Sequence, residues 1–307
     1  MRVLIVGAGH MGRIHAEKYR AIGAEWIGIH DLDIDRARAL ASAVGGEALG
    51  DLDELAGRAA AASICVPVRE HGAASERLIE LGLHLLIEKP ITHTESEGHR
   101  LIEAARRRGV VLQVAHQERF NPAVVAAAPH IEAPRFVEVH RLGMPDPRDG
   151  QVDVIRDLMI HDLDLLLAWI DAPIVQIDAV GSPVLSDEID IANARLRFAT
   201  GCVANLTVSR VTPKPTRKVR VFSRSGYVSI DCGERRAQRV YREGRSIRGH
   251  ELEVVDRDPV EEELRAFWRA IEGEAQPAVS GEEGLRALSL AVQIQRRIQQ
   301  HREMYGS

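Results

Sequence analysis

The stretch "RVLIVGAGHMG" at the start of the chain constrains the fold more than any other. Arg2 to Val6 are a short, β-branched apolar run, the pattern of a buried strand. Gly7, Gly9 and Gly12 follow at once, and then "RIHAEKYRAIG", which has helical periodicity. In a G-x-G-x-x-G turn between strand and helix each glycine has a task. Gly7 permits the tight turn, Gly9 lets backbone approach a pyrophosphate, and Gly12 lets helix and strand pack closely. His10 and Met11 fill the turn, and the first N–H groups of the helix face the phosphates. His10 and His15 otherwise read as a turn residue and a helix residue. A second strand, "EWIGIHD", ends in Asp31, 31 − 12 = 19 residues past the last glycine. That is close to the ~20 expected of the acid that binds a ribose 2′-hydroxyl. A carboxylate there repels a 2′-phosphate, which favours NAD over NADP; Arg36, a few residues on, is placed to soften the preference.

The alternation of strand and helix continues through "AASICVP", "REHGAASERLIELG", "HLLIEKP", "HTESEGHRLIEAARRRG" and "VVLQVAHQ". It predicts a doubly wound parallel sheet over residues 1–120, with ligands at the carboxyl ends of the strands. Those ends add Val66, Pro67 and His71 of "CVPVREH", and Glu88 and Lys89 of "IEKP", to the cofactor-facing set. Arg119 and Asn121 of "AHQERFNP" are candidate substrate contacts. Lys89 is placed to set an ammonium beside a reacting oxygen; the plainer reading is a solvated lysine in a turn.

From residue 121 the pattern changes. Segments such as "PRFVEVHRL", "ANARLRFA", "CVANLTVS", "KVRVFSR", "YVSID", "AQRVYRE" and "ELEVVD" have period-2 or β-branched character. They predict a second α/β domain, residues 121–307, built on a large open, mainly antiparallel sheet. Two helices close it, "PVEEELRAFWRAIEG" and "GEEGLRALSLAVQIQRRIQQH". A sheet that large needs its second face covered, which points to a homodimer or homotetramer. With 307 residues, 45% of them apolar, two cores are expected. A net charge of −5 carries no nucleic-acid footprint, and no apolar run approaches a membrane span. Cys65, Cys202 and Cys232 show no C-x-x-C spacing, and the N-terminus lacks a signal-peptide layout. Both favour a cytoplasmic protein.

Within the second half, "RDLMIHDLDLLLAW" (156–169) reads as one amphipathic helix on which Asp157, His161 and Asp164 share a face. A core histidine bonded to Asp157 is the plain explanation. In a chain that binds NAD, a histidine beside a carboxylate is also a base for alcohol oxidation, since its pKa of about 6.5 suits proton transfer. A metal site from His140, His161 and Asp164 has no close-spaced ligand cluster behind it, and no metal is expected. The basic stretch "RVTPKPTRKVR" offers Arg210, Lys214, Arg217, Lys218 and Arg220 to a diphosphate, or else marks a basic sheet edge.

"GAGHMG", "CVPVREH", "IEKP" and "DLMIHDLD" together resemble the glucose–fructose oxidoreductase / inositol dehydrogenase / MocA (Gfo/Idh/MocA) family, over essentially the whole chain. The resemblance implies a Rossmann domain followed by an α/β domain whose sheet makes oligomer contacts. It implies that Lys89 meets the nicotinamide ribose and substrate, that Asp157 and His161 form the catalytic pair with His161 as acid/base, and that Asp164 supports them. "QVAHQERFNPAV", "DLMIHDLDLLL" and "SRVTPKPTRKVRVFSRSGYVSID" are similar to the UDP-N-acetylglucosamine 3-dehydrogenase branch. That implies oxidation of a nucleotide-sugar 3-hydroxyl to a ketone with NAD, ahead of an aminotransferase step toward lipid A. The other expectations are oxidation of a free sugar or polyol such as inositol, and a catalytically silent NAD-binding regulator.

Overall fold

The computed structural model describes residues 1–55, 57–144 and 152–305. The chain forms two compact units. The first contains β1 (Arg2–Val6), α1 (His10–Ala21), β2 (Trp26–His30), α2 (Ile34–Val44), β3 (Glu47–Leu49), β4 (Ala61–Ile64), α3 (His71–Glu80), β5 (His84–Glu88), α4 (Glu95–Arg108) and β6 (Leu112–Ala115). The six strands are all parallel, in the order β3-β2-β1-β4-β5-β6. The order reverses between β1 and β4, the point where a doubly wound sheet opens a crevice. Val3, Leu4 and Ile5 are fully buried, as expected for a strand covered on both faces.

Two of these helices, α2 and α4, are capped at both ends. Asp33 accepts from the N–H groups of Asp35 and Arg36 at the start of α2. Thr94 and Glu97 form a reciprocal capping box on α4. Gly45 and Gly109 end α2 and α4 in the left-handed conformation. α1 and α3 start without a side-chain cap and with no acid in the first turn; before α1 stands Gly9, which has no side chain to offer.

The second unit contains α5 (Pro122–Ala127), β7 (Phe136–Leu142), a π-helical turn (Ile155–Met159) that leads into α6 (Ile160–Trp169), and the strands β8 (Ile174–Ser182), β9 (Ile191–Phe198), β10 (Val203–Ser209), β11 (Thr216–Phe222), β12 (Tyr227–Asp231), β13 (Arg236–Glu243) and β14 (Ser246–Glu251). The eight strands run in the order β14-β13-β12-β11-β7-β10-β9-β8. β7 and β10 are parallel and every other pair is antiparallel. β9 alternates strictly between exposed and buried. Its inward residues Ala194, Leu196 and Phe198 join Leu206, Val139, Val221 and Ile230 in one core. Because a one-residue slip would turn all of these outward, and each large side chain contributes roughly 1.5–3 kcal/mol, that face fixes the register.

Two helices close the chain, α7 (Pro259–Ile271) and α8 (Gly281–Tyr305). Here the structure differs from a simple division at residue 120. Val260–Leu285 belong to the first unit and Arg286–Ser307 to the second. Leu264 and Phe267 of α7 are fully buried among Val3, Ile5, Ile27 and Leu86. Their helical spacing shows in the sequence, but nothing local says which core they enter.

Two further differences have physical causes. "ELEVVD", expected as a strand, is not one: the last strand is the preceding β14. Leu252 and Val254 do pack against the core, so the alternation is real, but no ladder forms along it. β14 is exposed throughout and polar, so no alternation marks it. The basic stretch is not at a sheet edge either, because β11 lies between β12 and β7.

Phe267→Ala should lower the unfolding free energy of the nucleotide-binding unit by ~3–5 kcal/mol, the range for an emptied aromatic site. Urea unfolding read by NAD protection would report it. An effect confined to the second unit would contradict the shared core.

Candidate functional site

The glycine turn leaves β1 at Gly7, where φ is +100°. A Cβ there would lie 2.6 Å from the Cys65 carbonyl oxygen. A Cβ on Gly12 would fall onto the Gly7 carbonyl oxygen, so any larger residue would push α1 off β1. Gly9 is different. Its Cβ position meets only the Arg36 guanidinium, at 3.6 Å, and the space in front of it is open. That space is a cavity of about 710 Å³, lined by the glycine turn with His10 and Met11, by Asp31 and Arg36, and by Val66 and Pro67. The uncapped first turn of α1 supplies N–H groups with no protein acid to satisfy them, which is what an anionic pyrophosphate requires.

Asp31 is held at the far rim. Its Oδ2 accepts from the Ala8 N–H at 2.7 Å and its Oδ1 from the Asp33 N–H at 2.9 Å. A carboxylate has about four acceptor positions, so a ribose diol can still be bound. The residues present therefore fit a dinucleotide with an unphosphorylated ribose.

Behind this pocket lie His15, which local sequence did not mark, and Glu88 and His71, which were expected to face the cofactor and are buried outside the cavity lining. His15, fully buried on α1, sets its Nε2 3.2 Å from Glu88 Oε1. Burial alone would lower the His15 pKa; the Cys65 and Glu88 side chains beside the ring outweigh it and hold it well above 6.5. Burial likewise works to raise Glu88, and His15, Lys89 and His71 bring it below its usual range. His71, also buried, sets Nδ1 2.9 Å from the Pro90 carbonyl oxygen and Nε2 3.0 Å from that of Val66. Lys89 is part-buried between the two anchored neighbours, Glu88 and Pro90.

In the second unit, Asp153 starts the segment that carries His161. Its Oδ1 accepts from the Ile155 and Arg156 N–H groups, and its Oδ2 from Gln295 of α8. The expected single helix is a π turn over Ile155–Met159 followed by α6. Such turns add one residue to a helix and recur at functional sites. Asp157 lies inside the turn and His161 just past it. Both are part-buried, whereas Asp162 and Asp164 are each 1% exposed.

Each buried carboxylate takes an arginine. Arg119 meets Asp164 through Nε at 2.7 Å and Nη2 at 2.8 Å. Arg141 meets Asp162 through Nε and Nη2, both at 2.8 Å, and also bonds Glu118. Burial works to raise the Glu118 pKa, and the Arg141 guanidinium outweighs it and brings it down. Asn121, expected to meet substrate, caps α5 through the Ala123 N–H and donates to the Cys232 carbonyl. In the basic stretch, Arg210 is buried against Asp190, Lys218 pairs with Asp231 and Arg220 with Glu138. Lys214 and Arg217 are the exposed cations there.

Residues 1–116 match the model of an oxidoreductase family with an NAD-binding Rossmann fold, GFO_IDH_MocA, and residues 143–229 match the GFO/IDH/MocA C-terminal domain. The chain belongs to the Gfo/Idh/MocA family. It is similar to UDP-N-acetylglucosamine 3-dehydrogenase of Acidithiobacillus ferrooxidans, with 35% identity over 96% of each chain. The solved structure of that enzyme superposes with a TM-score of 0.93 over 97% of each chain. Myo-inositol 2-dehydrogenase of Thermotoga maritima is 27% identical over 99% of this chain and 98% of its own. Levoglucosan dehydrogenase in complex with NADH, at 17% identity, shares the fold with a TM-score of 0.88 over 98% of this chain and 97% of its own. The protein is thus an NAD-dependent dehydrogenase of the CH–OH class, like the sugar and polyol dehydrogenases of its family. Among the described residues no helix is long and apolar enough to cross a membrane.

The His15–Glu88 pair predicts a pH signature. The raised histidine pKa contributes stability that is complete below 6.5 and is lost as pH rises through its folded value. The lowered glutamate pKa contributes stability that is complete above 4.5 and is lost as pH falls through its folded value. The destabilisation caused by His15→Gln should therefore be largest between about pH 4.5 and 6.5 and shrink on the alkaline side. Urea denaturation of both proteins across that range tests it; a penalty independent of pH would show that the pair is not ionised.

Proposed function

We propose that the protein oxidises the 3-hydroxyl of UDP-N-acetylglucosamine to a ketone, with His161 as the base. The carrying observation is the end-to-end match, at 35% identity, to the Acidithiobacillus dehydrogenase named for that substrate and position. Bound NAD supplies the hydride acceptor. The reacting carbon loses a hydride and its oxygen loses a proton, so a base must meet the hydroxyl as its O–H bond breaks. His161 takes that proton. Asp157, four residues earlier, orients the ring and stabilises the imidazolium as it forms. Lys89 places its ammonium beside the oxygen while negative charge grows there.

The buried neighbours divide the remaining work. Asp164 is committed to Arg119, so it and Arg119 hold α6 in place instead of meeting the reacting carbon. Asn121 steadies its own loop. Lys214 and Arg217 are the cations of the basic stretch left to meet a diphosphate. A free polyol is the second reading, supported by the equally long match to myo-inositol 2-dehydrogenase.

The outward face of the eight-stranded sheet carries Phe136, Phe222 and Tyr227 in ring contact, and the Glu138–Arg220 pair. A second copy of the chain covers it in this reading. Light scattering at micromolar concentration should give a dimer or tetramer; a monomer of about 33.9 kDa would rule this out.

Oxidation of a secondary hydroxyl by NAD is uphill near neutrality, so the test couples the reaction to NADH reoxidation. Mass spectrometry should find a UDP-sugar two mass units lighter than UDP-N-acetylglucosamine. Its absence, together with brisk oxidation of inositol or a free hexose, would move the protein to the second reading. With the preferred substrate, His161→Ala should lower kcat by ~10²-fold or more while NAD still binds. Near-normal turnover would remove His161 from its role.

A further inference from the structure

Lys89 is the residue of the first unit on which the proposed chemistry most depends, and it sits on a long, flexible side chain. Fixing such a chain requires fixing the backbone on both sides of it. On its N-terminal side, Glu88 sends its carboxylate inward to the buried His15 ring of α1, 3.2 Å away. On its C-terminal side, the Pro90 carbonyl oxygen lies 2.9 Å from Nδ1 of the buried His71 ring, at the start of α3. The other nitrogen of His71 reaches the Val66 carbonyl oxygen, on the strand end that lines the dinucleotide cavity. Both helices start at cavity walls: α1 follows the glycine turn, and α3 follows the Val66–Pro67 segment.

We propose that His15 and His71 are positioning residues that together clamp Glu88-Lys89-Pro90, so that the Lys89 ammonium is set by the same two helices that frame the dinucleotide cavity. Neither histidine touches the cavity contents in this account; each acts through backbone or carboxylate next to Lys89. His15 is buried on a helix and the plain alternative is core packing. Packing alone would be satisfied by leucine, whereas here the His71 ring meets carbonyl oxygens at hydrogen-bonding distance and the His15 ring faces the Glu88 carboxylate as an ion-pair contact at 3.2 Å. His71 has carbonyl oxygens at both ring nitrogens; burial holds its pKa down, so the ring is neutral and its single N–H donates to one of the two, which an apolar side chain cannot reproduce. Removing the His71 ring would leave a carbonyl oxygen without its donor, and removing the His15 ring would take the facing cation from the buried Glu88; either change loosens one side of the lysine.

The inference rests on reading Lys89 as a reaction-site lysine, but its placement can be followed with no substrate present. The chain has four lysines, Lys18, Lys89, Lys214 and Lys218. Reductive methylation with carbon-13 formaldehyde therefore gives a sparse NMR spectrum, and Lys89→Arg identifies the Lys89 signal by its loss. In the native protein with NAD that signal should be displaced from the one given by exposed Lys214. In His15→Leu and in His71→Leu it should move to the Lys214 position and narrow. His71→Asn, which keeps one donor toward Pro90, should restore an intermediate position. In parallel, kcat with any alcohol the native protein oxidises should fall by ~10–100-fold, the scale of a misplaced catalytic group, with Kd for NAD within about twofold. Should the leucine variants fail to fold, Glu88→Gln, which keeps shape and removes the charge that His15 meets, is read in the same way. A Lys89 signal unchanged in the folded variants overturns the clamp, whatever the substrate proves to be. Loss of turnover with an unmoved signal also overturns it, because the histidines would then act by some route other than Lys89.

Discussion

Glu88, Asp162 and Asp164 all leave water when the chain folds, and the two parts of the candidate site depend on how each is compensated. An isolated carboxylate in an apolar interior is far too costly to keep ionised, so each must find a cation or donors in fixed geometry. His15 meets Glu88, Arg141 meets Asp162 and Arg119 meets Asp164. Breaking any of them would destabilise the fold, although apolar replacements of equal volume often do as well as such pairs. What the pairs supply is direction. A bidentate guanidinium accepts one orientation of its carboxylate, and a carboxylate rooted on a helix carries that orientation to the residue beside it. His161 is next to Asp162, and Lys89 is next to Glu88. Each proposed working group is thus adjacent in sequence to a carboxylate that cannot move.

The same contrast explains the π turn. α6 must bury Asp162 and Asp164 against two arginines while leaving His161 and Asp157 part-exposed. Carboxylates at 162 and 164 are two residues apart, so they point in quite different directions on an α-helix. The arginines therefore approach from different elements, Arg119 from the segment before α5 and Arg141 from β7. One extra residue in the turn before α6 changes the phase of Asp157 relative to a regular helix and still returns it to nearly the same face as His161.

Much of this was legible in the sequence where the cause is local. A glycine turn is forced by φ at Gly7 and by the lack of room at Gly12, and the amino-acid order alone implies both. Alternation with a period of two marks β9, because one face of that strand is buried and the other is not. Asp31 is marked by its spacing from the last glycine of the turn and Lys89 by its place at a strand end, both local features of the sequence. The parts that could not be read are those decided by partners remote in the chain. Arg141 became visible as a partner of Asp162 only once β7 and α6 were placed. His15 looked like any helix residue until Glu88, 73 residues away (88 − 15), came beneath it. β14 could not be read because every side chain on it is exposed, and a strand with no buried face has no pattern to show.

The first unit's dependence on Val260–Leu285 has a consequence for how the protein is made. Domains commonly fold in order as the ribosome extends the chain. Here the strand that carries Val3 and Ile5 emerges first and has to wait for Leu264 and Phe267, which lie far later in the chain. The second unit is in the same position, because Leu290, Ile294 and Ile298 of α8 complete its core. Neither unit closes before α7 and α8 have been made, so both keep apolar surface open until then. A nascent chain of this design exposes part of each core until its late helices arrive. It also does not lend itself to being cut into a free-standing nucleotide-binding fragment at residue 117, since that cut removes a wall of the core.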